Sequence, residues 1–246
     1  MTKECPDLEA QDDLLERYIQ CFFGYGNLKS QIWFIGMEEG GDTDEVSLQK
    51  ELSDWKKLGC PIVRDIAPAG IIGTNRWFSS ESPPIQRTWG KLIRATLRAL
   101  KEPTNNEHIR KFQRNRLGRT GGGNCLLELL PLRSPNVGSW RYHTLSALPY
   151  LQSRKTYEAH VIDLRKNVLR ELLDQYFPRV VVFYGMKYNH HWREIVGSNV
   201  VWSKGEYGKV AVQGRTRFYI INHPGRTPNR IIELLGDDFA AAVRRG

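Results

Sequence analysis

Gln31-Ile32-Trp33-Phe34-Ile35-Gly36 reads as a strand buried on both faces: the run is short, β-branched and aromatic, lacks polar alternation, and stops at a glycine. An acidic, glycine-containing loop, Met37 to Asp42, follows it. Before it, residues 11–23 (QDDLLERYIQCFF) set Leu14, Leu15, Tyr18, Ile19 and Phe22 at helical spacing, and Gly24-Tyr25-Gly26 then interrupts. After it, helices are predicted at about 44–57, 88–101, 156–177 and 229–244, the third with Val161, Leu164, Val168, Leu169, Leu172 and Leu173 on one face. Strands are predicted at 124–130, 179–184 and 217–222, with a short one at 209–213. Segments 61–87 and 114–123 read as irregular, the second basic and glycine-rich. This alternation predicts an α/β layered domain.

The 246 residues suit one domain, 1–246, with an N-terminal helix at about 8–23 and a core over about 31–240. A hydrophobic content of 40% supplies a sizeable core and argues against disorder. No apolar run reaches the roughly 20 residues of a membrane helix, and the polar, acidic N-terminus is unlike a signal peptide, so a cytoplasmic, membrane-free protein is expected. Cys5, Cys21, Cys60 and Cys125 lie far apart and suggest neither a zinc knuckle nor a disulfide framework. The formal charge of +9 suggests a polyanionic partner.

Ligands of open α/β sheets bind beyond the carboxyl ends of the strands. The strongest four strands end in GMEEGGD (36–42), LLPLRSPN (129–136), YGMKYNHH (184–191) and NHPGR (222–226). One sheet edge should therefore gather Glu38, Glu39, Asp42, Arg133, His190, His191, Asn222, His223 and Arg226. A carboxylate there can orient a water, and nearby glycines admit a substrate close to the backbone. His223-Pro224-Gly225-Arg226 offers an imidazole on a rigid turn, then a guanidinium suited to phosphate. Neither the dinucleotide G-x-G-x-x-G pattern nor a P-loop is present, and the adjacent histidines make a poor metal site.

Taken in order, these motifs resemble the uracil-DNA glycosylase superfamily. Gly36-Met37-Glu38-Glu39-Gly40 is similar to its first-strand motif, and His223-Pro224-Gly225-Arg226 to its late H-P-S-P-like motif. Trp77-Phe78-Ser79 with Ser82-Pro83-Pro84 resembles the C-F-S segment and proline-rich loop. Leu126-Leu127-Glu128-Leu129-Leu130 resembles the strand that carries a base-reading asparagine, and Val180 to Gly185 the third strand. The resemblance implies a three-layer α/β/α sandwich around a four-stranded parallel sheet. It also implies hydrolysis of an N-glycosidic bond after base flipping, with no metal or organic cofactor. By resemblance Glu38 positions water, with Glu39 and then Asp42 as alternatives. His223 supports charge on the leaving base, Phe78 stacks on it, and Gly36, Met37, Gly40 and Glu128 line the base site.

Three departures bear on the substrate. Glu128 stands where the family reads uracil with an amide. An ionised carboxylate only accepts hydrogen bonds, which suits the N4 amino group of cytosine; a protonated one could also donate to N3. Gly40-Gly41 leaves room beside C5 of the base, and Glu39 replaces the usual proline. The expected activity is therefore release of a 5-modified cytosine, such as the glucosylated hydroxymethylcytosine of phage DNA on which one branch of the superfamily acts in antiviral defence. A uracil-type repair glycosylase and a catalytically inactive DNA-binding module are the alternatives. DNA phosphates would be met by Arg114, Arg116, Arg119, Arg133, Lys187 and Arg226, with the chain acting as a monomer.

Overall fold

The computed structural model describes residues 8–67, 75–136 and 138–244. Cys5, residues 68–74 of the loop predicted at 61–87, and Val137 lie outside these. In chain order the elements are α1 (Leu8–Cys21), β1 (Gly24–Gly26), β2 (Ile32–Gly40), α2 (Glu45–Lys57), β3 (Val63–Arg64), α3 (Arg87–Ala99), α4 (Asn106–Asn115) and β4 (Asn124–Ser134). There follow α5 (Arg154–Tyr176), β5 (Val180–Tyr184), α6 (Asn189–Val196), β6 (Ser203–Gly205), β7 (Gly208–Gln213), β8 (Thr216–Ile221) and α7 (Asn229–Arg244).

All eight strands join one sheet in the order β3-β1-β4-β2-β5-β8-β7-β6. The α/β class is as predicted, but the sheet is larger than the four strands expected. Its centre, β4-β2-β5-β8, is parallel throughout. The additions are an antiparallel β6–β7 extension along β8 and the short β1–β3 pair along β4. Strands of two or three residues such as β1, β3 and β6 carry no periodic signal, so only their pairing reveals them.

The central strands have apolar side chains on both faces because both faces are covered by helices. Trp33 packs against Tyr176 of α5 with ring centroids 6.1 Å apart, while its neighbour Phe34 meets Phe239 of α7 at 6.4 Å. Successive strand residues point to opposite faces, so α5 and α7 cover opposite sides. Phe183 of β5 stacks on Trp192 of α6, on the α5 side. On the other side α7 lies against α3 at Gly236, where a Cβ would stand 2.7 Å from the Ala95 carbonyl oxygen. Arg98–Asp237 (2.7 Å) and Arg94–Glu233 (3.3 Å) flank that contact.

Two differences from the predicted elements matter for the site. β2 does not stop at Gly36 but continues through Glu38 and Glu39 to Gly40, with a register shift against β4 between Glu38 and Gly40. β4 likewise runs to Ser134, so Arg133 is a strand residue and not part of a following loop. On α5, the buried face is Tyr157, Val161, Arg165, Leu169, Leu172 and Leu173, and Leu164 is exposed.

Arg165 is fully buried and acts as a clamp. Its guanidinium donates to the carbonyls of Ile19 (2.6 Å), Phe22 (2.9 Å), Glu128 (3.0 Å) and Leu129, and it lies 3.7 Å from the Phe23 ring centroid. It thereby ties the end of α1 to β4 just where the short β1 stops covering that strand. Burial lowers its pKa to about 10, which still leaves it charged at neutral pH. Among the described residues no helix is long and apolar enough to cross a membrane.

Candidate active site

Gly36, Glu128 and Tyr184 form one row across β2, β4 and β5. Gly36 pairs with Glu128, and Tyr184 lies one step beyond the Ile35–Phe183 pair. With no side chain on Gly36, the Tyr184 hydroxyl passes over β2 and donates to Glu128 Oε1 at 2.9 Å. A Cβ on Gly36 would sit 2.3 Å from Glu128 Oε2 and 2.4 Å from the Tyr184 hydroxyl oxygen. Gly36→Ala is accordingly expected to part these two groups and to cost about 1–3 kcal/mol of stability. Denaturant unfolding measures the cost, and an unchanged midpoint would contradict the packing described.

Three carboxyl groups meet at this edge, but only two have guanidinium partners. Glu38 is ion-paired with Arg154, the first residue of α5, which also binds Glu158 at 2.8 Å. Glu39 accepts from the Tyr25 hydroxyl at 3.1 Å and from Arg133 at 3.4 Å. Arg133 also reaches Glu51 of α2 at 2.7 Å, and Glu51 is shared with Arg64 (2.7 Å) and Tyr18 (2.9 Å). Glu39 and Arg133 therefore belong to an internal network that fastens α2 and β3 to the ends of β2 and β4.

Glu128 has Tyr184 alone. The residue keeps a little exposed surface, yet its Oε2 is buried without a hydrogen-bond partner. Burial raises its pKa to about 8; the Tyr184 hydrogen bond opposes the shift, and the charges of Glu39 and Glu38 add to it. Glu38 is also raised, by burial first, against the opposing effect of Arg154.

The raised Glu128 pKa makes stability depend on pH in a defined direction. Between the ordinary value of 4.5 and about 8, the folded chain retains a proton that the unfolded chain has released. This group therefore withdraws stability as pH rises across that window and adds no further change above it. Glu128→Gln removes the titration, so its thermal midpoint relative to the parent is expected to rise between about pH 5 and pH 9. A gap that does not change with pH would contradict a proton on Glu128.

His223 stands beside this row, its ring edge-on to Tyr184 with centroids 6.1 Å apart. Burial lowers its pKa, and the positive charges of Arg226 and Arg87 act in the same direction, which favours a neutral imidazole. The start of α3 adjoins it: a Cβ on Gly225 would lie 3.3 Å from His223 Nδ1 and 3.5 Å from Thr88 Oγ1. Phe78 packs on Trp89, the residue after Thr88, at 5.7 Å between centroids. The segment bearing Phe78 is fastened by Gln113 of α4, fully buried, whose amide donates to the Trp77 and Pro84 carbonyls at 2.9 and 3.0 Å.

The remaining candidates are distributed as follows. Met37 is buried, whereas the Cβ direction of Gly40 is open, with no atom within 4 Å. Asp42 is exposed and pairs with Arg141 at 3.1 Å. Arg116 is held by Glu102 and Arg119 by Asp65, at 2.8 and 2.9 Å. Lys187 and Arg226 are exposed and have no ion pair among the described residues. The described residues contain no cluster of three or more His, Cys, Asp or Glu side chains able to hold a metal ion.

Sequence reasoning overlooked Tyr184 and Arg154. Tyr184 ends an apolar run, and only strand register brings it to Glu128. Arg154 lies 116 residues from Glu38 and precedes the apolar face by which α5 was read. No family model matches the chain, and no curated protein does.

Proposed function

We propose that the protein is a DNA glycosylase that hydrolyses the N-glycosidic bond of a flipped 5-modified cytosine and leaves an abasic site. The observation that carries this reading is the row of Glu128, Gly36 and Tyr184, with Glu38 and His223 at the same sheet edge. The resemblance to the uracil-DNA glycosylase superfamily supports it.

The chemistry follows from the groups present. A base is extruded because its glycosidic bond is shielded in the stack, at a cost of a few kcal/mol. Tyr184 donates to Oε1 of Glu128 and so directs the Glu128 proton to Oε2. Once the side chain turns to bring Oε2 out of its buried position, that carboxyl complements cytosine, with Oε2–H donating to N3 and a remaining lone pair of Oε1 accepting from the N4 amino group. Gly40, with open space at its Cβ, leaves room for a C5 substituent. The C1′–N1 bond breaks with its electron pair going to the base, which draws charge toward Glu128 and His223. Water oriented by Glu38 bonds to C1′ and gives up its proton to the carboxylate. Arg154 fixes the Glu38 rotamer and opposes its protonation.

The test is alkaline strand cleavage of matched single- and double-stranded DNA containing uracil, cytosine, hydroxymethylcytosine or glucosylated hydroxymethylcytosine. Cleavage restricted to a modified cytosine supports the reading, and restriction to the glucosylated base points to antiviral defence. Cleavage at uracil alone assigns a repair substrate. DNA binding without cleavage of any substrate overturns the glycosylase reading and leaves a binding module.

A further inference from the structure

Beyond His223 the sheet edge opens into a cavity of about 530 Å³ between the β6–β7 hairpin, α6 and the turn at Arg226. Arg193, Lys204, Lys209 and Arg226 line it, against a single carboxylate, Glu206. Glu206 lies 3.9 Å from Arg230, which is not among the lining residues. None of the four lining cations is ion-paired among the described residues, in contrast to Arg116, Arg119, Arg133 and Arg154. Lys209 is steered by a 2.8 Å hydrogen bond to Asn189, which occupies it without neutralising it. Trp202 and Tyr207 contribute aromatic surface.

We infer that this cleft seats the phosphodiester backbone and a neighbouring base of the DNA strand next to the flipped nucleotide. Its position is the first reason: Asn222 lines the cavity and the following residue is His223, so the cleft begins where the base site ends. Its chemistry is the second. Unpaired cations interleaved with aromatic rings are what a single strand requires, because phosphates need charge and bases stack on π-faces without regard to sequence. The β6–β7 extension, which lies outside the parallel core of the sheet, thereby acquires a role in holding substrate.

The inference rests on the proposed nucleic-acid substrate but not on base release, and its test reads binding alone. The affinity of the full chain for an unmodified single-stranded oligonucleotide is measured over a salt series for the parent, for Arg193→Glu with Lys204→Glu, and for Lys56→Glu with Lys57→Glu on α2. Thermal melts confirm folding of each. The cleft variant is expected to bind at least about tenfold more weakly and to lose about 1.4 from the slope of log affinity against log salt, at roughly 0.7 per phosphate contact on a single strand. The α2 variant should retain the parent slope. Equal effects of the two variants, an unchanged slope, or displacement of DNA by polyglutamate at equal charge concentration would overturn the assignment. If the cleft variant weakens binding but the parent releases no base, the glycosylase reading fails and the cleft stands.

Discussion

Glu38→Gln is expected to slow base release by about 10²–10⁴-fold, the range typical of losing a positioned acid or base, while DNA affinity stays at the parent value. The geometry allows so selective an effect. Glutamine retains an oxygen that accepts from Arg154, and Arg154 keeps Glu158 as its second carboxylate, so the end of β2 stays tied to α5. What disappears is the negative charge that, in the proposed mechanism, orients water and takes its proton. Glu39→Gln is the informative comparison, because Glu39 is engaged with Tyr25 and Arg133 and belongs to the network around Glu51. Single-turnover cleavage should separate the two variants, with Glu39→Gln acting through stability and Glu38→Gln through rate. Full activity in Glu38→Gln would remove Glu38 from the mechanism.

The largest expected effect on stability comes from Arg165→Met. Methionine fills much of the same space but leaves four carbonyl oxygens, those of Ile19, Phe22, Glu128 and Leu129, without their donor. Each buried acceptor left unmade costs about 1–3 kcal/mol, offset in part because the buried charge is also removed. A net loss of at least about 3 kcal/mol follows, a large share of the roughly 5–15 kcal/mol of a typical domain. Urea unfolding of the purified variant, or its failure to accumulate as folded protein, checks this. A midpoint equal to that of the parent would show that the clamp contributes nothing.

These two residues differ in how far the sequence revealed them. Glu38 and His223 could be proposed because each follows closely on an apolar run that reads as a strong strand, and strand ends are where α/β sheets bind ligands, whereas Glu128, in the middle of β4, came only from the resemblance of its strand to the family's. Arg165 left a fainter trace. It occupies the position between Val161 and Leu169 on the buried face of α5, and a lone arginine in an apolar stripe signals a buried partner without naming it. Leu164 misled for the same reason, since a helix rotated by one residue gives nearly as good a stripe. Tyr184 and Arg154 depend on contacts across strands or over 116 residues of chain, which no local pattern encodes. The pairing of Glu39 and Arg133 was likewise hidden, because β2 and β4 run past the glycine and proline that suggested their ends. Helices α4 and α6 are short and flank irregular segments, so their apolar positions were too few to establish a period.

The clamp at Arg165 also bears on how the chain is made. α1 leaves the ribosome well before α5, and the Ile19 carbonyl receives its hydrogen bond from a side chain 146 residues later. At translation rates of roughly 5–20 residues per second, that interval is about 7–30 s. During it α1 can coil but cannot dock in its final form, and Phe22 and Phe23, buried in the finished protein, remain unsheltered. Nascent chains halted before Arg165 should therefore be engaged by hydrophobic-binding chaperones and cut readily by protease near α1, and those extended past α5 should resist both.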